Sequence, residues 1–179
     1  MRRPAGFWTP AVQALLEHLE AAGFEGAPRP RGIDDEGREV LTYVDGIAGG
    51  DDMAEQVYRD GRPVAFIDWD VAAPAPRLWD VAHAVWRFVD ITHAADAAEV
   101  PALAARTRLF CDAYGLVDRS SLLETVLARQ HALHATIREF ADAGDPAFAA
   151  MWGTGHSEGP LRDAEFLRRH RRAFARALA

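Results

Sequence analysis

Between Thr9 and Gly23 the apolar residues Val12, Leu15, Leu16 and Leu19 recur at intervals of three and four, which aligns them on one face of a helix. Thr9 is placed to cap that helix, Pro10 to open its first turn and Gly23 to stop it. The period then changes. "GREVLTYVDG" (37–46) predicts a short strand ending at Asp45-Gly46, and "IAGGDDMAEQ" (47–56) a loop with weak helical character. "VYRDGRPVAFID" (57–68) has the pattern of a β-hairpin, with Asp60-Gly61 suited to a type I′ turn. From Leu78 onward the pattern is helical, and Trp79, Ala82, Val85, Trp86 and Val89 form one apolar face. Further helices are expected over about 101–114, 120–142 and 160–178. Gly115, Gly144-Asp145-Pro146 and "GTGHSEGP" (153–160) break them. Strands first and helices afterwards make a single α+β domain over 1–179, not a doubly wound sheet.

Composition narrows the chemistry. At 179 residues and 49% apolar, the chain can bury a real core. A net charge of −7 argues against nucleic acid as a partner. All 20 basic residues are arginines, which excludes a lysine Schiff base, a Walker lysine or a lysine acid/base. With the Ala, Arg, Asp and Gly bias, this points to a GC-rich genome. The single Cys111 cannot form an internal disulfide, and its setting in "RLFCD" (108–112) predicts a buried, inert thiol on a helix. "MRRPAGFWTP" lacks the apolar core of a signal peptide and no apolar run is long enough for a bilayer, so a cytoplasmic protein without a membrane partner is expected.

The sharpest local feature is "VAFIDWD" (64–70), an apolar run that ends on two carboxylates, Asp68 and Asp70. Residues two apart on an extended segment face the same side. Mg²⁺ favours one or two carboxylates together with phosphate oxygens and water. The competing reading has Asp70 capping the following turn and Asp68 paired with an arginine.

"GRPVAFIDWDVAAPAPRLWDVAHAVWRFV" (61–89) resembles the C-lobe core of the aminoglycoside phosphotransferase and choline kinase-like small-molecule kinases. Their metal-binding segment reads I-D-W-[DE], then a Pro/Gly-containing turn and D-[LV]-A. Residues 2–46 are similar to part of an N-lobe, and "GHSEGPLRDAEFLRRHRRAFARAL" (155–178) resembles the closing helix of actinobacterial members. The resemblance implies a protein kinase-like fold, with a reduced N-lobe (1–46) of strands and a helix packed on a mainly helical C-lobe (57–179). It implies Mg²⁺ and ATP (or GTP) as cofactors and a small-molecule hydroxyl as acceptor. On this pattern Asp68 holds the metal and Asp70 supports it. Asp80 is the buried aspartate that hydrogen-bonds the catalytic-loop backbone. Thr42, Tyr43 and Val44 meet the adenine at the hinge, and Arg3 (or Arg2) stands for the cation that binds the nucleotide phosphates.

The chain also departs from that pattern. The phosphate-covering hairpin would lie upstream of "RRPAG", and the catalytic loop H-[GN]-D-x-x-x-x-N corresponds to "GGDDMAEQVYRDG" (49–61), which has no histidine. There Asp51 stands for the catalytic base and Glu55 or Gln56 for the metal-binding Asn. Eleven residues separate Gly46 from Tyr58 where the family has several dozen. Phosphoryl transfer needs a phosphate cover, a metal site and an oriented acceptor together, and single catalytic groups carry factors of about 10²–10⁴. The expectation is therefore impaired ATP-dependent phosphoryl transfer. The alternative is a catalytically silent kinase-like module that binds a small molecule or a protein partner.

Other signals are weaker. His131 and His134 sit three apart on a helix with no further His or Cys to complete a zinc motif. His156 adjoins Ser157 in sequence, which is not triad geometry. "FLRRHRRAFARAL" (166–178) is a basic helix whose Phe166, Leu167, Phe174 and Leu178 give it an apolar side for docking. Gly49 and Gly50 make a flexible turn and no phosphate-binding motif. A haloacid dehalogenase-type phosphatase, which also places D-x-D after a strand, would need a lysine or an equivalent cation, normally a lysine, and an alternating α/β order.

Overall fold

The computed structural model describes residues 1–49 and 56–179. It is a mixed α+β protein that divides into two compact units, Met1–Pro74 and Ala75–Ala179. The hairpin that follows residue 56 thus belongs with the N-terminal unit, whereas the sequence reading grouped 57–179 together.

The first unit contains two small antiparallel sheets and one helix. Strand β1 is Arg2–Pro4, helix α1 is Thr9–Ala21, β2 is Pro30–Ile33 and β3 is Arg38–Leu41. The strands lie in the order β1-β3-β2, with Arg2 opposite Val40 and Arg3 opposite Glu39. Sequence analysis assigned no strand to residues 2–4, because three residues carry no period. Pairing supplies what pattern cannot: the Met1 amino group donates to Leu41 O at 2.6 Å and Leu41 N returns a bond to Met1 O at 2.9 Å. Pro4, which has no N–H, is tolerated because β1 is an edge strand. Val12 and Leu16 of α1 pack on Ala27 and Leu41, with Trp8, Leu19, Trp69 and Ala72 around them. Trp8, not Thr9, is the N-cap residue; the Thr9 hydroxyl accepts from Gly6 N at 2.9 Å and Pro10 falls in the first turn.

The second sheet comprises β4 (Ile47–Ala48), β5 (Gln56–Arg59) and β6 (Arg62–Phe66) in that order. Asp60 and Gly61 both have positive φ, 51° and 73°, as the type I′ turn between β5 and β6 requires.

The second unit is helical: α2 (Arg77–Val89), α3 (Val100–Tyr114), α4 (Leu122–Asp142), α5 (Pro146–Gly153) and α6 (Gly159–Leu178). Its ends follow local chemistry. Asp90 closes α2 in a left-handed conformation, Gly115 does the same for α3, and the Asp145 carboxylate caps α5 by accepting from Ala147 N and Phe148 N. The core joins Val81, Ala82, Val85, Trp86 and Val89 of α2 to Leu122, Val126, Leu167 and Phe174 of α4 and α6. Cys111 is fully buried here, and burial pushes its thiol pKa up, away from nucleophilic use. No helix among the described residues is long and apolar enough to cross a membrane.

Candidate functional site

The two acids of "VAFIDWD" do not share an extended segment. Strand β6 ends at Phe66, whose N–H donates to Gly26 O at 2.8 Å, and the chain then coils. Asp68 takes φ +60° and Val71 φ +57°. An aspartate tolerates that left-handed region, whereas a β-branched valine there is strained. Trp69 anchors the turn: its indole N–H donates to Phe66 O at 3.1 Å, and its ring packs on the α1 core. The coil therefore gives the two carboxylates different surroundings. Asp68 is exposed, while Asp70 is half-buried and faces Arg3.

Arg3 is the centre of the resulting cluster. Its Nε donates to Glu39 Oε2 at 2.6 Å, and its Nη1 lies 2.8 Å from Asp70 Oδ1. Glu39 is 0% exposed. Sequence analysis did not single it out, although a signal was present. In β3 the period of two puts Glu39 on the same buried face as Leu41, so a fully buried acid needed a cation. Burial raises the Asp70 pKa above the ordinary carboxylate value; Arg3 opposes that, while Asp68 and Glu39 add to it.

Linkage follows from that direction. A native carboxyl whose pKa is raised binds its proton more tightly than the unfolded chain does. Its contribution to stability is therefore present at low pH and declines as pH rises above the ordinary value of 3.8. Asp70→Asn is expected to remove that decline, so the difference in urea unfolding free energy between mutant and wild type grows with pH in this window. A difference independent of pH would contradict the assignment.

The other predicted positions are placed as follows. Thr42 is tied to Arg29 twice: its backbone N–H donates to Arg29 O at 2.9 Å, and its side-chain hydroxyl accepts from Arg29 N at 2.7 Å. Tyr43 is 72% exposed and Val44 half-buried. Arg3, expected at nucleotide phosphates, is committed to Glu39 and Asp70. Asp51 and Glu55 lie outside the described residues, and Gln56 is buried in β5, accepting from the Tyr58 hydroxyl at 2.7 Å. Asp80, expected to be buried, is exposed: the side of α2 that carries Val81, Ala82, Val85, Trp86 and Val89 is inward and Asp80 falls off it, within electrostatic range of Arg129.

Asp68 and Asp70 do not form a ready metal site. A cation on Asp70 Oδ1 would have to compete with the Arg3 guanidinium, and among the described residues no three His, Cys, Asp or Glu side chains converge. His131 and His134 are also committed. His131 bonds Leu127 O through Nδ1 and the Arg168 guanidinium through Nε2, while His134 Nδ1 donates to Ser157 O at 2.8 Å.

Over 99% of its length the chain aligns with 91% of the trifolitoxin immunity protein of Rhizobium leguminosarum bv. trifolii, at 26% identity. The alignment spans 246 residues, more than the 179 of this chain, so that relative carries segments without a counterpart here. No protein-family model matches the chain, and no solved structure matches it. These findings overturn the assignment to the aminoglycoside phosphotransferase and choline kinase-like group. The misreading has a physical origin. An apolar strand ending in I-D-W-D also suits a turn in which Trp69 is a packing anchor and Asp70 the partner of a buried arginine.

Proposed function

We propose that this chain is a non-catalytic binding module of the immunity-protein type, which protects its host by capturing a toxic small molecule or peptide. The observation that carries this reading is the alignment along nearly the whole chain with the trifolitoxin immunity protein. The commitments of Arg3, Asp70 and Thr42 within the first unit support it, because they tie up three of the groups expected at nucleotide and metal. A second reading is impaired ATP-dependent phosphoryl transfer to a small-molecule hydroxyl on a kinase-like scaffold. One observation favours it: Asp68 is exposed beside the coil and open to a hydrated Mg²⁺.

A trifolitoxin-sensitive bacterial strain expressing this chain tests both. On the binding reading, growth persists at toxin concentrations at least about tenfold above those that stop the control, the purified chain binds toxin in calorimetry without nucleotide, and recovered toxin is unmodified. Toxin that gains the mass of a phosphoryl group only when Mg²⁺ and ATP are present would establish the second reading instead. No protection and no binding would overturn the immunity assignment.

A further inference from the structure

Residues 166–179 hold five arginines and no acid, on a chain whose net charge is −7. This end of α6, with α3 and the start of α4, walls an open cavity of about 490 Å³ in the second unit. Leu123 and Leu178 give the cavity an apolar lining, and Arg108, Arg119 and Arg171 a cationic one. Ala175 and Ala179 border it and also border a more open depression lined by Arg172 and Arg176, so the two concavities adjoin.

These arginines outnumber the acids that answer them. Asp112 serves two: its Oδ1 takes Arg119 Nη2 at 2.6 Å, while Arg108 Nε lies 3.8 Å from its Oδ2. Glu124 takes Arg171 at 2.5 Å, and the nearby Asp118 is turned to the N–H and hydroxyl of Ser120. Arg108 otherwise makes one bond of 3.4 Å, from Nη1 to Ala177 O. Neither Arg172 nor Arg176 has an acidic partner among the described residues; Arg176 Nε donates to Arg172 O at 3.3 Å. Five guanidinium groups thus meet two paired acids, and a carboxylate on Ala179 counted as a third still leaves positive charge in excess. On a convex surface such arginines are simply hydrated. Around a concavity with apolar walls their field is focused, and the volume lies within the range of about 300–1,000 Å³ that holds a small organic molecule.

We propose that this cavity binds a small amphipathic oxyanion, an apolar body that carries a carboxylate or phosphate. The body lies against Leu123 and Leu178, and the head is held at the rim by Arg108, the arginine least engaged by Asp112. Arg172 and Arg176 add to the attracting field, while Arg119 and Arg171 stay fixed by Asp112 and Glu124. Guanidinium groups suit this task because their planar donor fork matches an oxyanion and the bonds are charge-assisted. The inference stands apart from the immunity reading, and its test uses no toxin.

The test titrates the full chain with pyrenebutyrate, a fluorescent carboxylate, and with pyrenebutanol as its uncharged counterpart. Saturable one-to-one binding of pyrenebutyrate is expected, with pyrenebutanol weaker by at least about tenfold. Arg108→Met combined with Arg172→Met is expected to weaken pyrenebutyrate by at least about tenfold as well. Ala175→Trp keeps every charge but fills the border between the two concavities, and is expected to abolish binding. All three positions are exposed, so these variants retain the core, which far-ultraviolet circular dichroism checks. Displacement of the bound probe by octanoate identifies a carboxylate ligand, and displacement by octyl phosphate a phosphate ester. Absence of saturable binding, equal affinity for pyrenebutanol, or an affinity unchanged in both variants would each overturn the proposal.

Discussion

Asp163→Ala is expected to destabilise the second unit by about 3–5 kcal/mol, because it strands the buried Trp86 indole N–H and removes the acceptor of two His93 contacts at once. Asp163 lies on α6, is only 5% exposed, and accepts three hydrogen bonds. Oδ2 takes the indole N–H of Trp86 at 3.0 Å, while Oδ1 takes the backbone N–H of His93 at 2.8 Å and the His93 ring Nδ1 at 2.6 Å. The carboxylate therefore ties α2 and the segment after it to α6, beside a Trp86 that is itself buried. Asp163→Asn separates acceptor count from packing. An asparagine offers one acceptor oxygen, and its NH₂ would be driven against either the Trp86 or the His93 donor. Urea unfolding followed by tryptophan fluorescence should show the asparagine variant close to the alanine one. An asparagine variant as stable as wild type would mean that the two-sided acceptor is not what holds α6 in place.

The second large effect concerns Arg3. Arg3→Met keeps a long apolar stem but removes the cation that faces Glu39 and Asp70. Glu39, with no exposed surface, is then a buried carboxylate without compensation. Breaking a buried pair in this way costs about 3–5 kcal/mol, more than the intact pair contributes. Arg3→Lys should recover only part of the loss, since a single ammonium cannot reproduce the Nε and Nη1 contacts made to two separate carboxylates. Pairing Arg3→Met with Glu39→Gln measures the coupling directly. The double variant is expected to be more stable than Arg3→Met alone, because the stranded charge is gone. If the two losses simply add, the ion pair is not the source of the destabilisation.

Both variants act on side chains that local pattern could not pair. Asp163 precedes Ala164, Phe166 and Leu167 at spacings that put it on the docking side of α6, and Glu39 shares a face with Leu41 in β3. Periodicity is thus enough to say that each acid is buried. It says nothing about which donor meets it, because the partners lie 36 residues away for Glu39 and 77 and 70 residues away for Asp163.

What the sequence determined by itself is the local layer of this protein. Helical spacing placed α1, α2, α3, α4 and α6 within a few residues of their observed limits, and Asp60-Gly61 announced the hairpin turn, since these depend on contacts between near neighbours. Tertiary structure alone decided the rest. Strand β1 exists through its pairing with β3, and the Asp68–Asp70 geometry was set by a left-handed coil after β6 that strand alternation does not foresee. Asp80 turned outward because the rotational phase of α2 is fixed by what its apolar side packs against, not by the motif in which that acid sits. A motif records which side chains are available. Which of them face each other depends on backbone dihedrals and on pairings between residues remote in sequence, and those are properties of the folded chain as a whole.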